Sequence, residues 1–437
     1  MPVFHLIPAD VLEVVAPDAP SGTREETSAP IWPAPNVLFT AWHALWHAVH
    51  PQVQLWEHNH ATGRNGHYPD RGIRLQRFGS LTSAGPFPCL PAATPPGWLF
   101  VSPADLGSSP DTSEIMRING PISHGAPFCD SRTTPVSRSD PPSVPAYAWG
   151  TKQMIEDYLR GTPVSPNHWR QSKEFCIIER IARPNGLRGK SLIPDPNAPN
   201  RFCLRLTDHA CLGAYASMPL KEASYREGFD LLPATEGLAF RMGGGGHVVR
   251  MSRHSPDRLD AWLPLSQPVS GTRAKWLLLS PAIFPRASSS QNKSDRPHPG
   301  GWLPTWVDPD SGQVLLRRGK TERGSKSREE WRRRIRELPF LDCRLMGAAV
   351  RPLISIGGWS ERKHLRIDDP KAQPGPRTVW TAVPAGSVYY FEGPDAPWLG
   401  QALAWHGQEQ ESPQEILHRR STLLGEQGFG LGVCGPW

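Results

Sequence analysis

Apolar positions along the chain follow two spacings. In VLFTAWHALWHAVH (37–50), Leu38, Trp42, Leu45 and Val49 recur at i, i+4, i+7 and i+11, which predicts a helix. Pro35 stands just before it and Pro51 ends it. KQMIEDYLRG (152–161) predicts a shorter helix, with Met154, Ile155, Tyr158 and Leu159 on one side and Gly161 as its stop. VFHLI (3–7), RLQRFGSL (74–81) and GWLFVSP (97–103) read as strands, and EFCIIERIA with RFCLRL as a hairpin pair. FRMGGGGHVVRM (240–251) reads as a strand-like run with four glycines inside it.

The last 160 or so residues carry the clearest pattern. KWLLLSPAIF (275–284) is an apolar strand. Ser327 and Glu330 form a capping box, Trp331, Ile335 and Leu338 follow at helical spacing, and Pro339 closes that helix. LMGAAVRPLISI (345–356), TVWTAV and SVYYFE (378–392) are strands rich in β-branched and aromatic residues. Ser412, Pro413 and Glu415 open another helix, with Ile416, Leu417 and Leu424 on its buried side and Gly425 as its stop. GFGLGVCGPW then returns as the final strand. The order β-α-β-β-α-β is the ferredoxin-like arrangement. The fold class expected is α+β in two domains, 1–271 and 272–437, the second with this ferredoxin-like (RRM-like) order, and with long Pro/Gly/Ser-rich insertions at 107–145 and 286–300.

Composition narrows the function. No run of 18 apolar residues exists, so no membrane span is expected, and MPVFHLIPADVLEVV lacks the basic start of a signal peptide. The seven cysteines are scattered and form no CxxC pair, which suits a cytoplasmic protein with reduced thiols and no metal. Residues 317–336 hold ten basic and three acidic residues, as much excess charge as the chain's whole formal +7. Such a patch either meets a polyanion or is a solvated helix face.

The glycine-rich end gives the candidate chemistry. Gly425, Gly428, Gly430 and Gly432 bracket Gln427 and Phe429, just after Arg419 and Arg420. Successive exposed backbone N–H groups bind phosphate, arginines add charge-assisted contacts, and an aromatic ring stacks on a base. The alternative is a tight turn that serves packing. No GK[ST] follows, which argues against nucleotide hydrolysis. The run Gly243, Gly244, Gly245, Gly246 and His247 either lets RNA backbone pass or forms a bulge. His43, His47 and His50 lie at i, i+4 and i+7, but Ala44 stands where a zinc protease would carry glutamate.

These pieces resemble the RAMP superfamily of CRISPR proteins and, within it, subunit three of the Cmr (type III-B) effector complex. The resemblance rests on PAGSVYYFE (384–392), GFGLGVCGPW and the GGW of 357–359, with IPADVL, GPF, SPADL, GGGGHVV, LLLSPAIF and GGWLP in order upstream. It implies two ferredoxin-like domains and a non-catalytic, antiviral role without a cofactor. It also implies partners: the 5′ repeat-derived handle of the crRNA, the large polymerase-like (Cas-ten family) subunit, the first backbone RAMP subunit and the other subunits of the complex. The sequence departs from the family where a charged residue is common in the central glycine turn and an arginine in the first helix; here stand GGGGHVV and His43, His47 and His50. Related RAMP proteins mature guide RNA without metal, using histidine as acid or base, so a repeat endoribonuclease using His5, His43 or His47 is the alternative.

Overall fold

The computed structural model describes residues 3–15, 32–49, 82–91, 97–106, 149–180, 201–217, 237–243, 247–254, 259–287, 297–318, 337–351, 353–357, 359–360, 375–376, 379–405 and 420–437. Within them the chain is α+β and dominated by sheet. The first part comprises β1 (Val3–Pro8), β2 (Leu12–Val15), α1 (Pro35–Val49), β3 (Thr82–Leu90), β4 (Gly97–Val101), β5 (Trp149–Thr151) and α2 (Lys152–Arg160). It continues through β6 (Trp169–Arg170), β7 (Cys176–Arg180), β8 (Arg201–Leu206), β9 (Cys211–Ser217), β10 (Ala239–Met242), β11 (His247–His254) and α3 (Leu259–Trp262). The second part holds β12 (Arg273–Leu278), β13 (Arg344–Ala349), β14 (Ile354–Ile356), β15 (Trp359–Ser360), β16 (Gly375–Pro376), β17 (Trp380–Ala382), β18 (Val388–Glu392), α4 (Ala396–Leu403) and β19 (Gly432–Gly435).

An eight-stranded sheet runs β10-β11-β1-β9-β3-β4-β5-β6, and a four-stranded sheet runs β13-β18-β12-β19. Both are antiparallel at every described pairing. In β1, Phe4 and Leu6 face α1 and Val3 faces the other way, the alternation of a strand buried on both faces. One core lies between α1 and the first sheet, around Phe4, Trp42 and Phe240. A second lies between the two sheets, where Val3, Phe87, Trp98 and Tyr215 meet Leu277, Val388, Tyr390 and Val433, with α2 at its side. A third covers the far face of the second sheet beneath α4.

Several expectations need correction. The four glycines of 243–246 do not interrupt one strand: β10 and β11 are the arms of an antiparallel hairpin, joined through that run. The apolar run 345–356 divides into β13 and β14, which pair with different partners, β18 and β17. The helix expected at Ser412–Leu424 is not helical over 420–424, and Leu424 itself adopts φ +56°, the left-handed region. Among the described residues, the last α-helix before β19 is α4, burying Ala396, Leu399, Gly400 and Leu403. Residues 74–81, 107–145, 327–336 and 412–419 lie outside the described residues.

A polar knot ties the sheets together through their shared core. Asp105, just beyond β4, accepts from the Tyr158 hydroxyl at 3.0 and 2.9 Å and from the Tyr390 hydroxyl. Lys275 of β12 donates to the Tyr158 carbonyl at 2.7 Å, and its ammonium lies 4.0 Å from that ring's centre. Burial pushes the Lys275 pKa down to about 8, against the pull of Asp105. A base whose folded pKa is lowered contributes stability that is complete above its unfolded value, 10.5, and is lost as pH falls through about 8. Lys275→Met should therefore flatten the stability profile in that window, removing a change of about 3 kcal/mol. Urea titrations of both proteins from pH 7.5 to 10 check this; parallel profiles would contradict it.

Candidate nucleic-acid interface

The glycine-rich end is not an open phosphate cradle. Gln427 N–H donates to the Leu424 carbonyl at 2.9 Å, Gly428 N–H to Gly425 at 3.1 Å, Phe429 N–H to Leu424 at 3.4 Å and Gly430 N–H to Pro281 at 2.7 Å. Leu431 N–H donates to Ser280 Oγ at 2.9 Å. Five consecutive donors are thus satisfied within the protein. Phe429 is fully buried among Ile283, Ile354, Ile356 and Ala382, so its ring offers no face to a base. Arg420 is half-buried: its Nε donates to the Ala402 carbonyl at 2.6 Å, its N–H donates to Gly430 at 2.9 Å, and burial lowers its pKa. Arg419 lies outside the described residues.

The glycines serve close approach. Gly428, at φ +96°, lies where a side-chain carbon would sit 3.1 Å from the Ser83 carbonyl oxygen and 3.3 Å from Pro35 Cβ. A carbon at Gly432 would enter the Trp276 indole, and one at Gly435 would come 2.7 Å from the Leu159 carbonyl oxygen. The packing alternative accounts for this segment.

Convergence around the first turn of α1 is what the sequence only partly disclosed. Gly428 abuts Pro35, and Gly243, at φ +78°, would place a side-chain carbon 3.9 Å from Val37 Cγ1. Asn36 Nδ2 donates to the Gly357 carbonyl at 3.1 Å, and Trp32 Nε1 to Pro86 at 2.9 Å. The glycine turns at 243 and 428 and the GPF and GGW segments therefore meet at one helix end. The Asn36 Oδ1 and Ser83 Oγ atoms are buried there with no hydrogen-bond partner. His43 and His47 lie further along α1, and Gly244, Gly245 and Gly246 lie outside the described residues. His247 opens β11, where its Nε2 accepts from the Glu13 N–H at 3.1 Å.

Two arginines missed by sequence reasoning flank that turn. Arg241 pairs with Val248, and Arg250 with Ile7 and Ala239, so all five share one face of the β10-β11-β1 edge. Arg241 and Arg250 are exposed, as are Ile7 and Val248. The alternation in FRMGGGGHVVRM was the available signal: Phe240, Met242, Val249 and Met251 go inward, which turns Arg241, Val248 and Arg250 outward. His5, the third nuclease candidate, projects from the same sheet face as Ile7 but is buried beneath Trp262, with ring centroids 5.3 Å apart, where the two sheets pack.

Two other segments of the resemblance meet inside the fold. Gly386, at φ +84°, packs against the Ser102 carbonyl, Ala104 N–H donates to Gly386 at 2.8 Å, and Arg351 Nη2 donates to Ser102 at 3.0 Å. With Tyr390 on Asp105, PAGSVYYFE and SPADL form the seam between the sheets.

This is the architecture of a sheet-rich α+β protein whose marked segments hold two sheets together and frame one exposed basic edge. The chain belongs to the CRISPR-associated protein (Cas_Cmr3) family, whose model matches residues 52–437. No curated protein matches it. Among solved structures, a chain of the type III-B Cmr-beta complex bound to cognate target RNA is similar at 9% identity and a TM-score of 0.35, covering 89% of this chain and 86% of that one. A chain of the same complex with target RNA and AMPPnP gives 9% and 0.34 over the same shares. Likeness at that level bears no argument. Among the described residues no helix is long and apolar enough to cross a membrane.

Proposed function

We propose that this chain is a non-catalytic subunit of a type III-B RNA-guided interference complex, that it binds the 5′ handle of the crRNA, and that it docks the large polymerase-like subunit and the first backbone subunit. Membership in the Cas_Cmr3 family supports the assembly role. The handle is received at the β10-β11-β1 edge and the adjoining end of α1. The observations carrying this are the convergence of the two glycine turns at Pro35–Val37 and the exposed Arg241 and Arg250, which lie on the other face of the β10–β11 hairpin that leads into Gly243. Arg241 and Arg250 neutralise phosphates, while Ile7 and Val248 offer apolar surface to unstacked bases. Of the residues expected from sequence, Gly243 to Gly246, His247, His43, His47, Gln427 and Arg419 remain in this reading. Phe429 and the N–H groups of 427–431 leave it.

The fold is read as two ferredoxin-like units, 1–271 and 272–437. Support comes from strand order: taken in chain order, β1, β3, β9 and β11 lie 4-1-3-2, and β12, β13, β18 and β19 do the same.

Arg241→Glu with Arg250→Glu should weaken binding of labelled handle-bearing guide RNA at least tenfold and reduce the salt slope by about 2, with unchanged stability. The titration compares guide RNA with the handle present or replaced, and a denaturing gel reads the same samples. Equal affinity for the two RNAs would reduce the chain to a generic single-strand binder. Metal-independent fragments would make it a processing nuclease instead.

A further inference from the structure

The inter-sheet core contains three metal-ligating side chains on one sheet face. Cys89 of β3 lies directly opposite Cys211 of β9, and His5 of β1 lies opposite Gly213, two residues further along β9. Residues opposite one another or two apart share a face, so these three project together across three adjacent strands. Their ligand atoms all lie within 4.8 Å of one another, and all three residues are buried. His5 Nε2 is 3.7 Å from Cys89 Sγ.

We propose that His5, Cys89 and Cys211 form a structural site for a thiophilic divalent cation, with zinc the best fit. Zinc bonds of about 2.3 Å to sulfur and 2.0–2.1 Å to nitrogen, at a tetrahedral angle, place S and N about 3.6 Å apart. The observed 3.7 Å needs almost no adjustment. Charge favours the same ion. Two thiolates cancel the double charge of zinc, so a neutral unit occupies an apolar core where a lone ion would be strongly disfavoured. The walls are aromatic: the Trp262 ring meets His5 edge-on, and the Trp98 indole lies over Gly213. Binding releases both thiol protons to solvent, so affinity falls steeply as pH drops. Without metal, Cys89 Sγ and His5 Nε2 make only a weak contact whose direction follows the histidine tautomer. The site staples β1, β9 and β3 at the surface where the sheets pack, and its fourth position is left to a small donor such as water.

The test uses the untagged full chain purified without chelator. Elemental analysis should find about one zinc per chain, retained through gel filtration. Replacement by Co2+ should give the intense near-ultraviolet band of cobalt–thiolate bonds. Cys89→Ser with Cys211→Ser should lose both signals, while Cys203→Ser keeps them. Should the double variant fail to fold, the wild-type cobalt spectrum decides, because only thiolate ligation produces that band. A metal-free chain that takes up neither Zn2+ nor Co2+ would overturn the site. So would an intact mass two hydrogens light, with Cys89 and Cys211 recovered in one disulfide-linked peptide.

Discussion

Asp105→Ala is expected to be among the most destabilising single substitutions, lowering the unfolding free energy by about 3–5 kcal/mol. The carboxylate receives two buried tyrosine hydroxyls, Tyr158 from α2 and Tyr390 from β18, and its charge opposes that of Lys275. Alanine takes away the acceptor that both hydroxyls share, leaving them only each other, and the ammonium's counter-charge, and a buried group left without its partner costs about 1–3 kcal/mol. Asp105→Asn keeps the shape and one acceptor oxygen, so it should lose about half as much. Burial raises the Asp105 pKa, with its hydrogen bonds and Lys275 acting the other way. The proton-linked part of its contribution is therefore complete below its ordinary 3.8 and is lost as pH rises through the folded value, while the hydrogen bonds to the two tyrosines remain. Denaturant titrations at fixed pH measure the ranking; an alanine variant as stable as the asparagine one would refute the network's role. Because the knot spans both sheets, its loss should also expose the shared core, read as a new site of limited proteolysis after β4.

Part of this arrangement was legible in the sequence. The apolar spacing of Leu38, Trp42 and Leu45 located α1, and Gly161 marked the end of α2 because a left-handed cap, at φ +74°, suits glycine. The strands at 275, 345 and 388 were readable from β-branched and aromatic residues. Helix α4 was not, since its buried positions include alanine and glycine and its second residue is proline. Long-range convergence was the other blind spot. His5 and Cys89 are 84 positions apart, and no local spacing announces that β9 will bring Cys211 between their strands. The same holds for Asp105 and Tyr390, separated by 285 positions although both stand in recognisable segments. Phe429 misled in the opposite way: an aromatic among glycines has the composition of a stacking platform, yet its neighbours in space are Ile283, Ile354 and Ile356.

Gly430→Ala separates a packing role from a ligand-contacting one. Gly430 is at φ +73°, and a side-chain carbon there would collide with the Ser421 backbone nitrogen. Relief would disturb a small hydrogen-bonded junction. Gly430 N–H donates to Pro281, Arg420 N–H donates to the Gly430 carbonyl, and the Ile283 N–H donates to Ser421 Oγ at 2.7 Å. Gly161 supplies the control, since at φ +74° it has nothing within 4 Å of the added carbon. Gly161→Ala should cost only the left-handed strain, about 1 kcal/mol, whereas Gly430→Ala adds a backbone collision and should cost about 4 kcal/mol or leave the chain unfolded. If the glycines mattered only for letting RNA approach, the two variants would be about equally stable and only Gly430→Ala would lose handle binding. The satisfied N–H groups of 427–431 argue for the first outcome. The backbone of that segment is committed to holding β19 against β12, and RNA contact falls to the side chains around the edge it helps to build.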